Sequence, residues 1–79
     1  MEIRVTVATI LLKKAHPPLA SGTFSMELAA GTDVEGLIAA LGLPPEVVGS
    51  VTVNKKRSPR ERVLENGDRV AIVPSISGG

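Results

Sequence analysis

The chain has 79 residues, nine Lys/Arg against eight Asp/Glu and a formal net charge of +1. At this length a domain buries only ~60–65% of its unfolded surface, too little to enclose a deep catalytic cavity. Near-neutral charge and a single aromatic, Phe24, argue against nucleic acid, since both the basic excess and the base-stacking rings are missing. Without cysteine there is no disulfide, thiolate nucleophile or Cys-type zinc site, and the lone His16 has no second histidine for a metal pair. No apolar run approaches the ~20 residues that cross a bilayer, and Met1-Glu2 lacks the basic start of a signal peptide. The expectation is a cytoplasmic domain with no bound cofactor, no metal, no membrane and no nucleic acid, whose chemistry sits mostly in a partner.

In chain order, Ile3, Val5 and Val7 alternate with Glu2, Arg4 and Thr6, which predicts a half-buried strand running on to about residue 11. Lys13-Lys14, Pro17-Pro18 and Gly22 mark a loop, and Phe24, Met26 and Leu28 alternate in a second strand, antiparallel to the first. Thr32-Asp33-Val34-Glu35 reads as a capping box with Thr32 as N-cap. Val34, Leu37, Ile38 and Leu41 then form one apolar helix face, which Gly42 and Pro44-Pro45 end. Gly36 inside that helix suggests close packing on the sheet, and Pro45–Val48 a further short turn. Val51 and Val53 define a third strand, turned by Asn54-Lys55-Lys56; Arg57–Arg62, with Pro59, is a loop or weak edge strand. Val63-Leu64 is a short buried hook. Glu65-Asn66-Gly67-Asp68 is a turn because Asn-Gly tolerates positive φ at both positions, and Val70–Val73 is the last strand, stopped by Pro74. The predicted order is β-β-α-β-(β)-β, an α+β domain with one helix over one face of a small mixed sheet. Its core is expected to be Ile3, Val5, Val7, Phe24, Met26, Leu28, Val34, Leu37, Ile38, Leu41, Val53, Leu64, Val70 and Ile72.

The ending, Val73-Pro74-Ser75-Ile76-Ser77-Gly78-Gly79, is a poor structural finish, because glycine loses the most entropy on being ordered. It suits threading: without Cβ atoms the last two residues can enter a narrow channel. Five residues past Pro74 reach at most ~17 Å. An α-carboxylate is anionic at neutral pH and can attack the α-phosphorus of ATP, giving an acyl-adenylate. The charged stretch Lys55, Lys56, Arg57, Arg60 and Arg62 reads as a solvated loop partly neutralised by Glu61 and Glu65, in preference to docking on an acidic partner or contacting RNA. Asp33 and Glu35 suit the helix macrodipole, Asp68 caps the Asn66-Gly67 turn, and His16 is a loop residue.

"NGDRVAIVPSISGG" over Asn66–Gly79, with "GTDVEGLIAALGLPPEVV" at 31–48 and "VTVN" at 51–54, resembles the MoaD/ThiS family of ubiquitin-like sulfur-carrier proteins along nearly the whole chain. The resemblance implies a ubiquitin-like β-grasp domain over residues 1–74 and a flexible reactive tail over 75–79. It implies that Gly79 is adenylated by a ubiquitin-activating-type adenylyltransferase, which uses ATP and Mg, and is then converted to a thiocarboxylate. The sulfur passes to an acceptor enzyme, the molybdopterin synthase large subunit or thiazole synthase; the tail looks closer to the molybdopterin type and the central section to the thiamine type. The chain is then a protein co-substrate, not an enzyme. Lys55 departs from the family pattern, where a glycine often follows the asparagine. Gly78, Ser77 and Ile76 are expected to thread the tail, and Ala71, Val73 and Ile76 to dock on the partner as an apolar patch. A covalent protein modifier needs the same tail, whereas a noncovalent β-grasp binding module does not.

Overall fold

The computed structural model describes residues 1–75. Five strands form one mixed sheet: β1 (Glu2–Val7), β2 (Thr23–Glu27), β3 (Val48–Val53), β4 (Lys56–Arg57) and β5 (Arg69–Pro74), in the spatial order β2-β1-β5-β3-β4. β5 lies in the middle, parallel to β1 and antiparallel to β3, while β2 pairs antiparallel with β1. The helix α1 (Val34–Ala40) covers one face, and 3₁₀ turns at Thr9–Leu11 and Pro45–Val47 lie near the end of the sheet where β5 finishes. This is the α+β architecture expected, and the alternation of buried and exposed residues in β1 follows the sequence pattern residue by residue.

Buried apolar side chains from the sheet and α1 make one core, including Ile3, Val5, Val7, Leu37, Ile38, Val53, Leu64, Val70 and Ile72. Leu11, Ala15, Leu43, Val48 and Val51 join it, beyond the residues expected. Phe24, Met26 and Leu28 are only half-buried and pack against the core from outside. The reason is position: β2 is an edge strand with a neighbour on one side only. β1 also ends at Val7 and not near residue 11; the chain winds into the 3₁₀ turn, which buries Leu11 and leaves Ile10 exposed. Val63-Leu64 buries Leu64 alone, with Val63 facing out.

The helix start departs from the capping-box reading. Asp33 is the N-cap, its carboxylate accepting the Gly36 N–H at 2.7 Å. Thr32 instead donates its hydroxyl to the Ala29 carbonyl at 2.7 Å. The Val34 and Glu35 N–H groups donate to the carbonyls of Arg62 and Arg60, each at 2.9 Å. Loop backbone thus satisfies donors that a helix N-terminus otherwise leaves open. Gly36 makes room for this cap and not for the sheet: a Cβ there would sit 2.8 Å from Thr32 Cγ2 and 3.3 Å from the Asp33 carboxylate.

The two-residue turn with positive φ at both positions is Asn54-Lys55 (φ 53° and 70°), which folds β4 onto β3; at Asn66-Gly67 only the glycine has positive φ. Asn66 serves that turn through its side chain, which accepts the Glu2 N–H at 2.7 Å. Buried Asp68 joins the two turns. Its carboxylate accepts from the Asn54 amide at 3.0 Å and the Glu65 N–H at 2.8 Å. Lys55 therefore holds a left-handed conformation that disfavours side chains with a Cβ. Lys55→Gly should stabilise the domain by about 0.5–1 kcal/mol, read as a higher urea midpoint at constant slope. Leu37→Ala, which empties a fully buried site under α1, should cost about 2–5 kcal/mol in the same titration.

Candidate functional site

The sequence points to the chain end, so the site is built outward from β5. Val70 and Ile72 turn into the core, while Ala71 is half-buried and Val73 is 42% exposed on the opposite, open face. Ile76, Ser77, Gly78 and Gly79 lie outside the described residues. What the structure defines is the root of the tail.

That root is held on one side. The ladder does not stop at Pro74: Pro74 stands in register with Val48, and the Ser75 N–H donates to the Val47 carbonyl at 2.9 Å. Successive backbone groups of a strand point to alternate neighbours. Arg69 exchanges bonds with Asn54 toward β3, and the Ile72 carbonyl accepts from Ala8 on the β1 side. By that alternation the missing N–H of Pro74 falls on the β1 side, beyond the last register pair, Val7 with Ile72. The proline breaks no ladder bond there. It ends pairing toward β1 while Ser75 continues it toward β3.

Gly49 is the residue that permits this approach. It is the extra residue between the pairs Val48–Pro74 and Ser50–Val73, a β-bulge. A Cβ on Gly49 would collide with the Pro74 carbonyl oxygen and lie 2.8 Å from the Pro74 carbonyl carbon and 2.9 Å from Ser75 Cα. A glycine inside a strand signals close backbone approach, and that signal could have identified Gly49 from sequence. Beside the root, Ile10, Leu11, Lys14, Glu46, Val47, Pro74 and Ser75 line a hollow of about 260 Å³, mostly apolar. Ile10 is its most exposed large apolar side chain, at 68%.

The charged stretch is less uniform than a solvated loop. Arg60 is half-buried, donates to the Val48 carbonyl at 2.9 Å and lies 3.9 Å from the Glu35 carboxylate, a helix residue, instead of pairing with Glu61 or Glu65. Lys55, Lys56 and Arg57 are exposed in the turn and edge strand. His16 is exposed, and its backbone packs on Gly42. Among the described residues no three of His, Asp or Glu gather into a metal-binding group, and no helix is long and apolar enough to cross a membrane. The described residues thus present a scaffold for an emerging strand.

A ubiquitin-like β-grasp domain with its last strand central in the sheet is the class this geometry defines. The ThiS family model matches residues 18–79, and the chain belongs to that family. Its members are small carrier proteins. The fold is shared with the putative molybdopterin converting factor subunit 1 from Pyrococcus furiosus, at 19% identity and a TM-score of 0.73, covering 96% of this chain and 99% of that one. It is also similar to H. volcanii small archaeal modifier protein 1, at 16% identity and TM-score 0.71, covering 95% and 98%. A third similar structure is the protein–protein complex of subunits 1 and 2 of molybdopterin-converting factor from Helicobacter pylori, at 20% identity, TM-score 0.62 and full coverage of both chains. No curated protein matches the chain significantly.

Gly49→Ala tests the root. It should destabilise the domain by about 1–3 kcal/mol through overpacking. It should also speed amide exchange at Ser75 more than at Val53, at the far end of β3, since the collision falls on Pro74 and Ser75.

Proposed function

We propose that the chain is a sulfur carrier whose Gly79 carboxylate is activated in a partner and returned as a thiocarboxylate. The observation that supports it is the ThiS-family match running through Gly79, on a β5 that has lost its β1 neighbour by Pro74 and is held by β3 alone at Ser75. Residues 1–74 act as the handle and 75–79 as the reactive tail. The carboxylate attacks the α-phosphorus of ATP, the bond to the β-phosphate breaks, and pyrophosphate leaves. Hydrosulfide then displaces AMP from the acyl-adenylate, leaving –COS⁻ on Gly79 and one proton in solution. Binding of ATP and Mg, and stabilisation of charge on the α-phosphate, fall to a ubiquitin-activating-type adenylyltransferase.

Gly78 and Ser77 keep the tail narrow, and Ile76 with Ala71 and Val73 supplies the apolar contact near it. The sulfur acceptor is a cofactor-biosynthesis enzyme, the molybdopterin synthase large subunit or thiazole synthase, acting in the cytoplasm. The complex formed by the Helicobacter pylori converting-factor subunits supports an acceptor that binds the carrier directly. Similarity to an archaeal modifier protein supports a second reading, capture of the same activated Gly79 by a lysine amine. Adduct mass spectrometry separates the two.

Incubation with ATP, sulfide and the adenylyltransferase encoded in the same genome should raise the intact mass by about 16 Da, one oxygen exchanged for sulfur. Deleting Gly79 moves the reactive carbonyl back by ~3.5 Å and should abolish that gain with the melting temperature unchanged. No gain with an enzyme shown to be active, or the same gain after the deletion, would overturn the reading. Ile76→Asp should weaken binding to the adenylyltransferase without lowering the melting temperature. Destabilisation of the free domain would show that Ile76 packs on its own chain.

A further inference from the structure

The open face of the sheet divides into rows across the strands. Nearest the tail root are Val73 and Ser50. The next row runs Arg57, Thr52, Ala71, Thr6, Thr23. Behind it come Arg69, Arg4 and Ser25, and last the pair Glu2–Glu27. Lys55, Arg69, Thr52, Thr6 and Ala71 line a shallow hollow of about 190 Å³ between the second and third rows. The wholly apolar side chains on these rows are Ala71 and Val73 alone, so the rest of the face is recognised through its polar and charged groups.

Charge is the larger feature. Arg57, Arg69 and Arg4, with Lys55 at the turn, form a cationic band across β4, β5 and β1. Arg4 and Arg69 stand directly side by side in the parallel register, an arrangement that repels and costs stability. Among the described residues the ion pair present is Arg60–Glu35, so none of the four band cations has a carboxylate within ion-pair distance. Glu2 and Glu27 sit together at the far corner.

We infer that this band is a docking surface for an acidic patch on the adenylyltransferase that activates the tail, an inference that rests on the carrier reading above. Unpaired side-by-side arginines are relieved by anionic surface and worsened by cationic or apolar surface. The geometry also fixes where that patch must lie. From Pro74 back to Arg69 is five residues of strand, about 17 Å. From Pro74 forward to Gly79 is at most about 17 Å. Acidic residues of the partner therefore lie within about 35 Å of the phosphate it activates, on the surface facing the sheet. The cations orient the domain while the tail enters, an effect on encounter and not on chemistry.

The test is steady-state adenylation of the full chain by the adenylyltransferase encoded in the same genome, with Arg57→Glu/Arg69→Glu against wild type and Lys13→Glu as a loop control. The double variant should raise the KM for the carrier about tenfold or more at low salt, with kcat within twofold. Salt should raise the wild-type KM and leave the variant's nearly flat. The melting temperature should hold or rise, because Arg69→Glu removes the repulsion with Arg4. A wild type that is adenylated while the double variant keeps its KM overturns the band and leaves the carrier reading standing. So does an equal effect of Lys13→Glu, a loss confined to kcat, or low-salt retention of a single-stranded RNA oligonucleotide in place of the enzyme. A wild type that is never adenylated removes both.

Discussion

The pairing of β5 between β1 and β3 is the constraint from which the rest follows. As the central strand it buries Val70 and Ile72 against the core, and its two neighbours fix its direction along the full length of the sheet. β1 ends at Val7, and Pro74 removes the donor that would have sought it. Only β3 still holds the chain at Ser75. The last described residues therefore continue the central strand of the sheet, so that the position of the tail root is set by the core and not by a loop.

Two local devices hold that root, one of backbone and one of side chain. The Gly49 bulge lets β3 press on Pro74 and Ser75 without a side chain between them. Arg60 reaches from the loop that seals the helix N-terminus to the Val48 carbonyl, next to the same bulge. The helix cap, the start of β3 and the tail root are thereby linked by hydrogen bonds of ordinary length. A neutral side chain at position 60 would leave the Val48 carbonyl without that partner, a cost set by how far water can replace it.

What could be read from the residues was whatever period and punctuation carry. The twofold alternation of Ile3, Val5 and Val7 and the helical spacing of Val34, Leu37, Ile38 and Leu41 gave the elements and most of the core. The Gly-Gly ending and the run before it gave the family. Beyond the antiparallel β1–β2 pair, features that depend on which strand lies beside which were not legible. Phe24, Met26 and Leu28 alternate as well as any core strand, yet β2 is an edge. Thr32 and Glu35 have the spacing of a capping box, but carbonyls of Arg60 and Arg62, nearly thirty residues on, take the donors first. Arg4 and Arg69 look unrelated in sequence and become neighbours only through the parallel register. The turn at Asn54-Lys55-Lys56 was legible, but not its positive φ at Lys55, which a lysine seldom accepts, whereas the bulge at Gly49 was visible in principle.

In the proposed carrier role, stability and reactivity are separated to an unusual degree for so short a chain. The buried apolar residues stop at Ile72, and the only buried charged side chain among the described residues, Asp68, is fully engaged in joining two turns. An enzyme of this size would have to hold polar catalytic groups inside a core that can spare little burial. A carrier avoids that conflict by leaving its reactive group at the end of the chain and borrowing a partner's site. The surface then has one remaining task, to be recognised and oriented. In the proposed carrier role that task falls, on the open sheet face, to side chains outside the core: half-buried Ala71 and exposed Val73 near the end of β5, and the arginines of β1, β4 and β5 behind them.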